Sequence, residues 1–426
     1  MDLPQSMQNL IDRVTAAFPQ HPRLPRMFAN TFSNTLTTTL RPQPDGSVFV
    51  ITGDIPAMWL RDSAAQVRPY LHLAREDAAF AALIAGVIDR QMQFILIDPY
   101  ANAYNEAANG RCHNRDQTDM GPWVWERKYE LDSLCAPLKL ACDLWQTTGG
   151  VGHLDATFER AARLIVATIT REQDHSTSAY RFERFDCVAM DTLANAGRGN
   201  AVGHTGLSWS GFRPSDDACT FNYLIPSNMF AVVALQCLAK LPLQDRALQS
   251  DALALAAQIR LGIDRFGTVI HPRFGTIYAY EVDGLGQVNL MDDANVPSLL
   301  SMPYLGYCAA DDPVYLATRA FVLSDQNPYF FAGTAASGIG SPHTPTGYIW
   351  PISMCIQGLT AQSYSDRLRL LDTLMQVDAG TGLMHEGFYK DDPAQFTRPW
   401  FAWANSMFAE FVIDLLAETE RLSAPS

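Results

Sequence analysis

Apolar residues recur at helical spacing along this chain in two different ways. At Leu154, Phe158, Ala161, Ala162, Ile165 and Ile169 they share one face while Glu159, Arg160, Arg163 and Arg171 occupy the other, and Leu248, Ala252, Leu255 and Ile259 repeat the pattern. Such helices lie half in solvent. Residues 229–239 and 401–416 are instead apolar on almost every face, which fits a wholly enclosed helix. Further helical spacing covers 5–18, 27–40, 60–74, 76–97, 127–147, 311–323 and 363–377. Strand-like runs are confined to 47–52, 267–270 and 275–280, enough for a few short β-hairpins. The pattern predicts an all-α fold, read as one domain over 1–426. Half-solvated helices alternating with enclosed ones suit a double ring, inner helices inside outer ones, better than a bundle or a solenoid. No repeat of fixed period marks it.

The segments between helices are unusual. Residues 104–126, 196–217, 327–350 and 379–400 are long, punctuated by Gly and Pro, and aromatic, whereas connections in a compact domain are usually short. Long aromatic loops tend to carry function. Trp59, Trp123, Trp125, Trp209, Trp350 and Trp400 lie in or beside them. In a sugar-binding protein such rings stack on the C–H faces of pyranoses; the structural alternative is small apolar clusters beneath loops.

Composition narrows the choice. A net charge of −14 without a basic run argues against nucleic acid or an anionic membrane surface as partner. No stretch of about eighteen uninterrupted apolar residues is present, so no membrane span is expected. The N-terminus mixes Asp2, Gln5, Gln8, Asp12 and Arg13 among apolar positions, unlike a secretory leader, and a cytoplasmic protein is expected. The eight cysteines lie singly and read as buried thiols; the nine histidines are scattered. No metal and no cofactor are expected.

Breaking a glycosidic bond needs two carboxyls flanking the anomeric carbon, one protonating the leaving oxygen and one activating water or attacking directly. Three places offer carboxyls in aromatic, sparsely charged surroundings. In Phe212-Arg-Pro-Ser-Asp-Asp-Ala218, Asp216 and Asp217 adjoin Arg213; one reading has Asp216 cap a helix and Asp217 project as the acid, and the reverse assignment stays open. In His385-Glu-Gly387, Glu386 is a candidate base with Gly387 permitting close approach of a ligand. In Asp54-Ile-Pro-Ala-Met-Trp59-Leu-Arg61-Asp62, an Arg–Asp pair can divide a sugar's hydroxyls between donors and acceptors, or form a structural ion pair. Asn228, Asp293, Asn295, His343, Tyr348, Trp350 and His385 are lesser candidates.

The runs Gly53-Asp-Ile-Pro-Ala-Met-Trp-Leu-Arg-Asp62, Phe212-Arg-Pro-Ser-Asp-Asp-Ala218, Ile225-Pro-Ser-Asn228, Met291-Asp-Asp-Ala-Asn295, Ser341-Pro-His343 and His385-Glu-Gly387 together resemble glycoside hydrolase family 125. The likeness spans roughly residues 50 to 408. It implies an (α/α)6 barrel and hydrolysis of terminal α-1,6-linked mannose from oligosaccharides with inversion, without a required metal. It also implies the acid at the Asp216–Asp217 pair, the base at Glu386, and the terminal sugar held by Arg61 and Asp62. Neither mannose nor the linkage follows from composition or spacing. Three other readings remain at this stage: a glucosidase or trehalase-like enzyme on the same ring of helices, a phosphorylase or lyase, and a non-catalytic sugar-binding protein.

Overall fold

A computed structural model describes residues 3–423; Met1 and Asp2 of the leader-free reading, and the last three residues of the predicted 1–426 domain, lie outside the described residues. The chain is mostly helical. Its principal helices are α1 (Gln5–Ala17), α2 (Leu24–Asn34), α3 (Leu60–Val67), α4 (Ala78–Ile97), α5 (Leu131–Thr148), α6 (Ala156–Arg171), α7 (Ile225–Lys240), α8 (Arg246–Phe266), α9 (Met302–Leu305), α10 (Pro313–Val322), α11 (Pro351–Leu359), α12 (Tyr364–Gln376) and α13 (Ala402–Ser423). One contiguous cluster of buried apolar side chains runs from Met7 to Leu416.

Two sets of helices differ in burial, as the pattern of apolar positions predicts. Every residue of α7 from Ile225 to Leu235 is buried, and α13 is buried almost as completely from Ala402 to Ile413. Against them pack helices buried on one face only, such as α6 (Phe158, Ala161, Ala162, Ile165, Ile169) and α8 (Leu248, Ala252, Leu255, Ile259). The enclosed helices touch in succession, α3 on α5, α5 on α7 and α7 on α9, while α11 packs on α13 and α13 returns to α3. Side chains from α3, α5, α7, α9 and α13 line one interior cavity, including Ala64, Leu140, Phe230, Tyr304 and Met407. Helix α4 is long and apolar enough to cross a membrane by length and composition, yet it packs on α5 and α6, its buried residues include Phe80, Ile84, Val87, Ile88 and Arg90, and it carries Asp89.

The two sets also start differently. Outer helices α4, α6, α8 and α10 begin at Asp77, Asp155, Asp245 and Asp312, whose carboxylates accept from backbone N–H groups of the first turn. The N-cap positions of α3, α5, α7 and α11 are Trp59, Glu130, Leu224 and Trp350, and none makes a capping bond. Their orphan N–H groups are met by neighbouring loops instead. Leu60 N–H donates to the Asn102 carbonyl at 3.1 Å, Leu131 to Ser210 Oγ at 3.1 Å, and Ile225 to the Tyr280 carbonyl at 2.9 Å. At α13, Ala402 N–H donates to the Thr52 carbonyl at 3.1 Å.

The long aromatic segments and the residues beside them contain short strands that periodicity does not predict. Three three-stranded antiparallel sheets form, and the strands Met58–Trp59, Tyr223–Leu224 and Tyr348–Ile349 lead directly into α3, α7 and α11. Helix α11 was also unplaced: its nine residues, PISMCIQGL, are too few and too uniformly buried to show a period. The expected hairpins at 47–52 and 267–280 are present, the first pairing Val48–Val50 with Leu40–Pro42.

The start of α13 is tied to the segment before α3 at Gly53, which bridges to Phe401 with φ +130°. A Cβ there would lie 2.6 Å from the Trp400 carbonyl oxygen. Gly53→Ala is therefore expected to destabilise the fold by about 1–3 kcal/mol, measured by urea unfolding; an unchanged midpoint would show that this closure is not under constraint.

Candidate active site

A cavity lies at the starts of α3, α11 and α13, lined by Thr52, Ile55, Trp59, Arg61, Asp62, Pro214, Ser215, Asp216, Asn295, His343, Trp350, Glu386, Arg398, Phe401 and Trp403. Aromatic rings form much of the wall: Trp59, Trp350, Phe401 and Trp403 are each at most 5% exposed. Helices α3, α11 and α13 reach it with their N-terminal ends, so the partial positive charge of these helix dipoles faces the cavity and favours anionic groups there.

Arg61, in the first turn of α3, is the central cation. Its guanidinium lies 2.5 Å from Glu130 Oε2, 3.1 Å from Asp132 Oδ2 and 3.3 Å from Asp62 Oδ1, and stacks over Trp403. Burial raises the Asp62 carboxyl to about 6, with Arg61 opposing and Asp216 reinforcing that shift. Both expected roles of the Arg61–Asp62 pair are thus combined: it is an ion pair, and it lines the cavity.

The turn at 212–218 does not cap a helix, contrary to expectation, because α7 begins only at Ile225. It closes on itself instead: Arg213 N–H donates to the Asp217 carbonyl at 2.8 Å and Asp216 N–H to the Arg213 carbonyl at 2.9 Å. Asp216 adopts φ +67°, a left-handed conformation that Asp tolerates better than most residues. This twist points the two adjacent carboxyls apart. Asp216 faces the cavity, its Oδ1 accepting from Asn102 Nδ2 at 2.9 Å and Trp59 Nε1 at 3.3 Å, while Lys128 Nζ donates to its backbone carbonyl at 2.6 Å. Burial would raise its pKa, but Lys128 and Arg61, with help from Glu130 and His343, hold it down to about 2. Asp217, the acid favoured from sequence, is 1% exposed, does not line the cavity, and is bonded to His343, which does.

Glu386, just ahead of the strand Gly387–Tyr389, is 5% exposed and accepts from Arg398 Nη1 at 3.5 Å. Arg398 is held in turn by Asp54, its Nη2 2.5 Å from Oδ1. A Cβ at Gly387 would meet the Trp350 indole at 3.2 Å, so the glycine lets that ring pack close to the backbone. Among the described residues no group of three or more His, Cys, Asp or Glu side chains is arranged to hold a metal ion.

Residues 21–413 match the family described as metal-independent alpha-mannosidase (GH125). The chain belongs to glycoside hydrolase family 125. It is 42% identical over 425 residues to the meiotically up-regulated gene 157 protein of Schizosaccharomyces pombe, covering 94% of this chain and 83% of that protein. Its structure is similar, with a TM-score of 0.95 and 49% identity over 97% of this chain and 99% of the other, to a Streptococcus pneumoniae metal-independent α-mannosidase in a non-productive substrate complex with α-1,6-mannobiose. The glucoamylase of Saccharomycopsis fibuligera shares the fold at a TM-score of 0.62 and 10% identity, covering 94% of this chain and 96% of that one.

Several residues singled out in the sequence stand behind the cavity of this α-mannosidase and not in its wall. Arg213 pairs with Glu281 at 2.7 Å and anchors the 212–218 turn. Asn228 bonds both backbone groups of Ser208. Asp293 accepts from Asn295 Nδ2 at 2.9 Å and Ser341 Oγ at 3.1 Å, and Ser341 Oγ accepts from His343 N–H at 3.2 Å, so a relay of hydrogen bonds sets the imidazole. His385 stacks on Phe396 and faces Thr381, and Tyr348 packs on Tyr389. Sequence reasoning missed Asn102, Lys128, Glu130 and Asp132. The latter three sit in Glu126-Arg-Lys-Tyr-Glu-Leu-Asp132, a charged run that reads as a solvated helix start; only its lack of exposure marks it otherwise.

The His343 imidazole donates from Nδ1 to Asp217 Oδ1 at 3.0 Å. Burial alone would lower its pKa; the bond to Asp217 and the charges of Asp217, Glu386 and Asp216 outweigh burial and raise it to about 9. A folded value above the ordinary 6.5 means that this pair stabilises the protein fully below pH 6.5 and loses that contribution as pH rises through about 9. Thermal melts of the wild type are expected to drop more between neutral pH and pH ~10 than those of His343→Gln; parallel curves would contradict a charged imidazole.

Proposed function

We propose that this chain is an exo-acting, inverting α-1,6-mannosidase, folded as a single (α/α)6 barrel, with Asp216 as general acid and Glu386 as general base. The enclosed helices α3, α5, α7, α11 and α13, each packed on an outer helix, together with the short α9 packed on α7, support the barrel, as does the likeness to glucoamylase. The observation that carries the assignment is that Asp216 and Glu386 both line one cavity, from the loops that lead into α7 and α13. Carboxyls so placed flank a sugar from different sides, which inversion requires; about 6.5–9.5 Å between them leaves room for the attacking water.

Each side chain then has a task. Trp59, Trp350, Phe401 and Trp403 exclude water and offer apolar faces to the pyranose. Asp62 and Asn295 accept and donate to its hydroxyls, with Arg61 fixing Asp62. Asp216 gives a proton to the leaving oxygen, and Glu386, oriented by Arg398, takes one from the water. Asp217 acts at one remove, by holding His343. The α-1,6 linkage rests on the ligand bound by the pneumococcal relative.

The test is a panel of α-1,2-, α-1,3-, α-1,4- and α-1,6-linked mannobioses and the α-glucose counterparts. Mannose should be released from the α-1,6 isomer at a kcat/KM well above the others; preference for a glucoside or another linkage would overturn the substrate. Glu386→Gln should bind mannobiose while kcat falls by roughly 10²–10⁴-fold, and Asp216→Asn should lose most on poor leaving groups. If Asp217→Asn reproduces that leaving-group dependence and Asp216→Asn does not, the two aspartates must exchange roles.

A further inference from the structure

The turn that carries Asp216 is bonded to a loop that hydrolysis as described above does not use. Residues 184–192 turn back on themselves: Arg184 N–H donates to Thr192 Oγ1 at 2.9 Å, Asp191 N–H to the Val188 carbonyl at 2.9 Å, and Asp186 adopts φ +56°. Buried charges brace this loop. The Arg184 guanidinium, 4% exposed, donates to the Asp116 carboxylate at 2.8 and 2.9 Å and to Glu126 Oε1 at 2.8 Å. The Met190 carbonyl accepts from Ala218 N–H at 2.7 Å, and Asp191 Oδ1 accepts at 3.3 Å from Lys128 Nζ, which also donates to the Asp216 carbonyl. Yet the loop presents apolar side chains to solvent: Phe185 is 65% exposed, Val188 61% and Met190 37%.

Asp216 is tied to a second apolar surface as well. Trp59, whose Nε1 donates to Asp216 Oδ1, packs with Ile55 and the half-buried Trp125 in a small cluster separate from the main core. Trp125 lies in the strand Val124–Glu126, and Glu126 joins the two surfaces. Its Oε1 accepts from Arg184, and its Oε2 accepts at 3.1 Å from Asn102 Nδ2, which also donates to Asp216 Oδ1.

We propose that the 184–192 loop, together with Trp125, is the leaving-group platform of this α-mannosidase, on which the sugars beyond the scissile linkage rest their C–H faces. The inference rests on Asp216 being the general acid. An acid must reach the glycosidic oxygen while the base holds water on the opposite face of the sugar, so the departing chain runs past the residues bonded around Asp216. Those residues are the loop and the Trp125 strand. A buried ion cluster costs desolvation, and a loop braced by one gains nothing for the fold by exposing Phe185 and Val188. Exposed apolar side chains gathered in one place mark a binding surface. A pyranose suits this one, because its C–H face stacks on a phenyl ring while its hydroxyls stay in water.

The test is kcat/KM along 4-nitrophenyl α-mannoside, α-1,6-mannobiose, α-1,6-mannotriose and α-1,6-mannotetraose. In the wild type it is expected to rise about three- to tenfold from mannobiose to the longer chains, the size of one aromatic contact. Phe185→Ser combined with Val188→Ser should abolish that rise and leave the nitrophenyl substrate unchanged, whereas Phe185→Tyr, which keeps a ring, should retain it. Should the double variant fail to fold, Phe185→Ser alone is read for the same loss. A wild type indifferent to chain length, or a double variant that keeps the rise, would overturn the proposal. So would a light-scattering mass that halves in the double variant while the length series stays the same, since the loop would then join two copies of this chain. If the wild type splits no mannoside, the hydrolytic reading fails, and titration calorimetry with Glu386→Gln still decides the platform. Mannotriose binding tighter than mannobiose only while Phe185 is present upholds it; equal affinities overturn it.

Discussion

Three carboxyls, Asp62, Glu130 and Asp132, converge on the one guanidinium of Arg61 in a place where almost no surface is open to water. Removing one partner from such a buried ionic cluster typically costs about 3–5 kcal/mol, because the remaining charges stay desolvated. Everything at the mouth of the ring is arranged around this constraint. Arg61 comes from α3, Glu130 and Asp132 from α5, and Ser227 of α7 donates to Asp132 Oδ1 at 2.9 Å. The ion cluster therefore holds three enclosed helices in register, and it sets the charge that Asp216 experiences next to it.

The starts of the enclosed helices show what this arrangement displaces. Four outer helices, α4, α6, α8 and α10, use Asp caps, each ordinarily worth about 0.5–2 kcal/mol. At α3, α5, α7 and α11 the cap position has passed to residues that line or serve the cavity, and neighbouring loops satisfy the backbone. Departure from local helix rules thus coincides with the site, as is general where function competes with stability. The loops fold back accordingly: those ahead of α5, α7 and α9 bond the starts of α3, α5 and α7, and the segment ahead of α3 bonds the start of α13.

The fold was legible where burial has a period. Residues 154–169 and 229–239 declared outer and enclosed helices from their apolar faces, and the motif at 53–62 contributes Arg61 and Asp62 to the cavity wall. Helix α11 and the small sheets were not legible, since they are short and their pairing is set by distant loops. The choice between Asp216 and Asp217 turned on a left-handed φ at Asp216, which two adjacent aspartates do not announce. Glu130 was invisible for a similar reason: a carboxylate at a helix start reads as solvated until its surroundings are known.

The central claim is that Asp216 and Glu386 act on a terminal mannose from different sides, with water between Glu386 and the anomeric carbon. The anomer released first from α-1,6-mannobiose, followed by proton NMR before mutarotation, tests it most directly. β-Mannose appearing first is the predicted result. α-Mannose first would mean a covalent intermediate and carboxyls only about 5–5.5 Å apart, and would contradict the account.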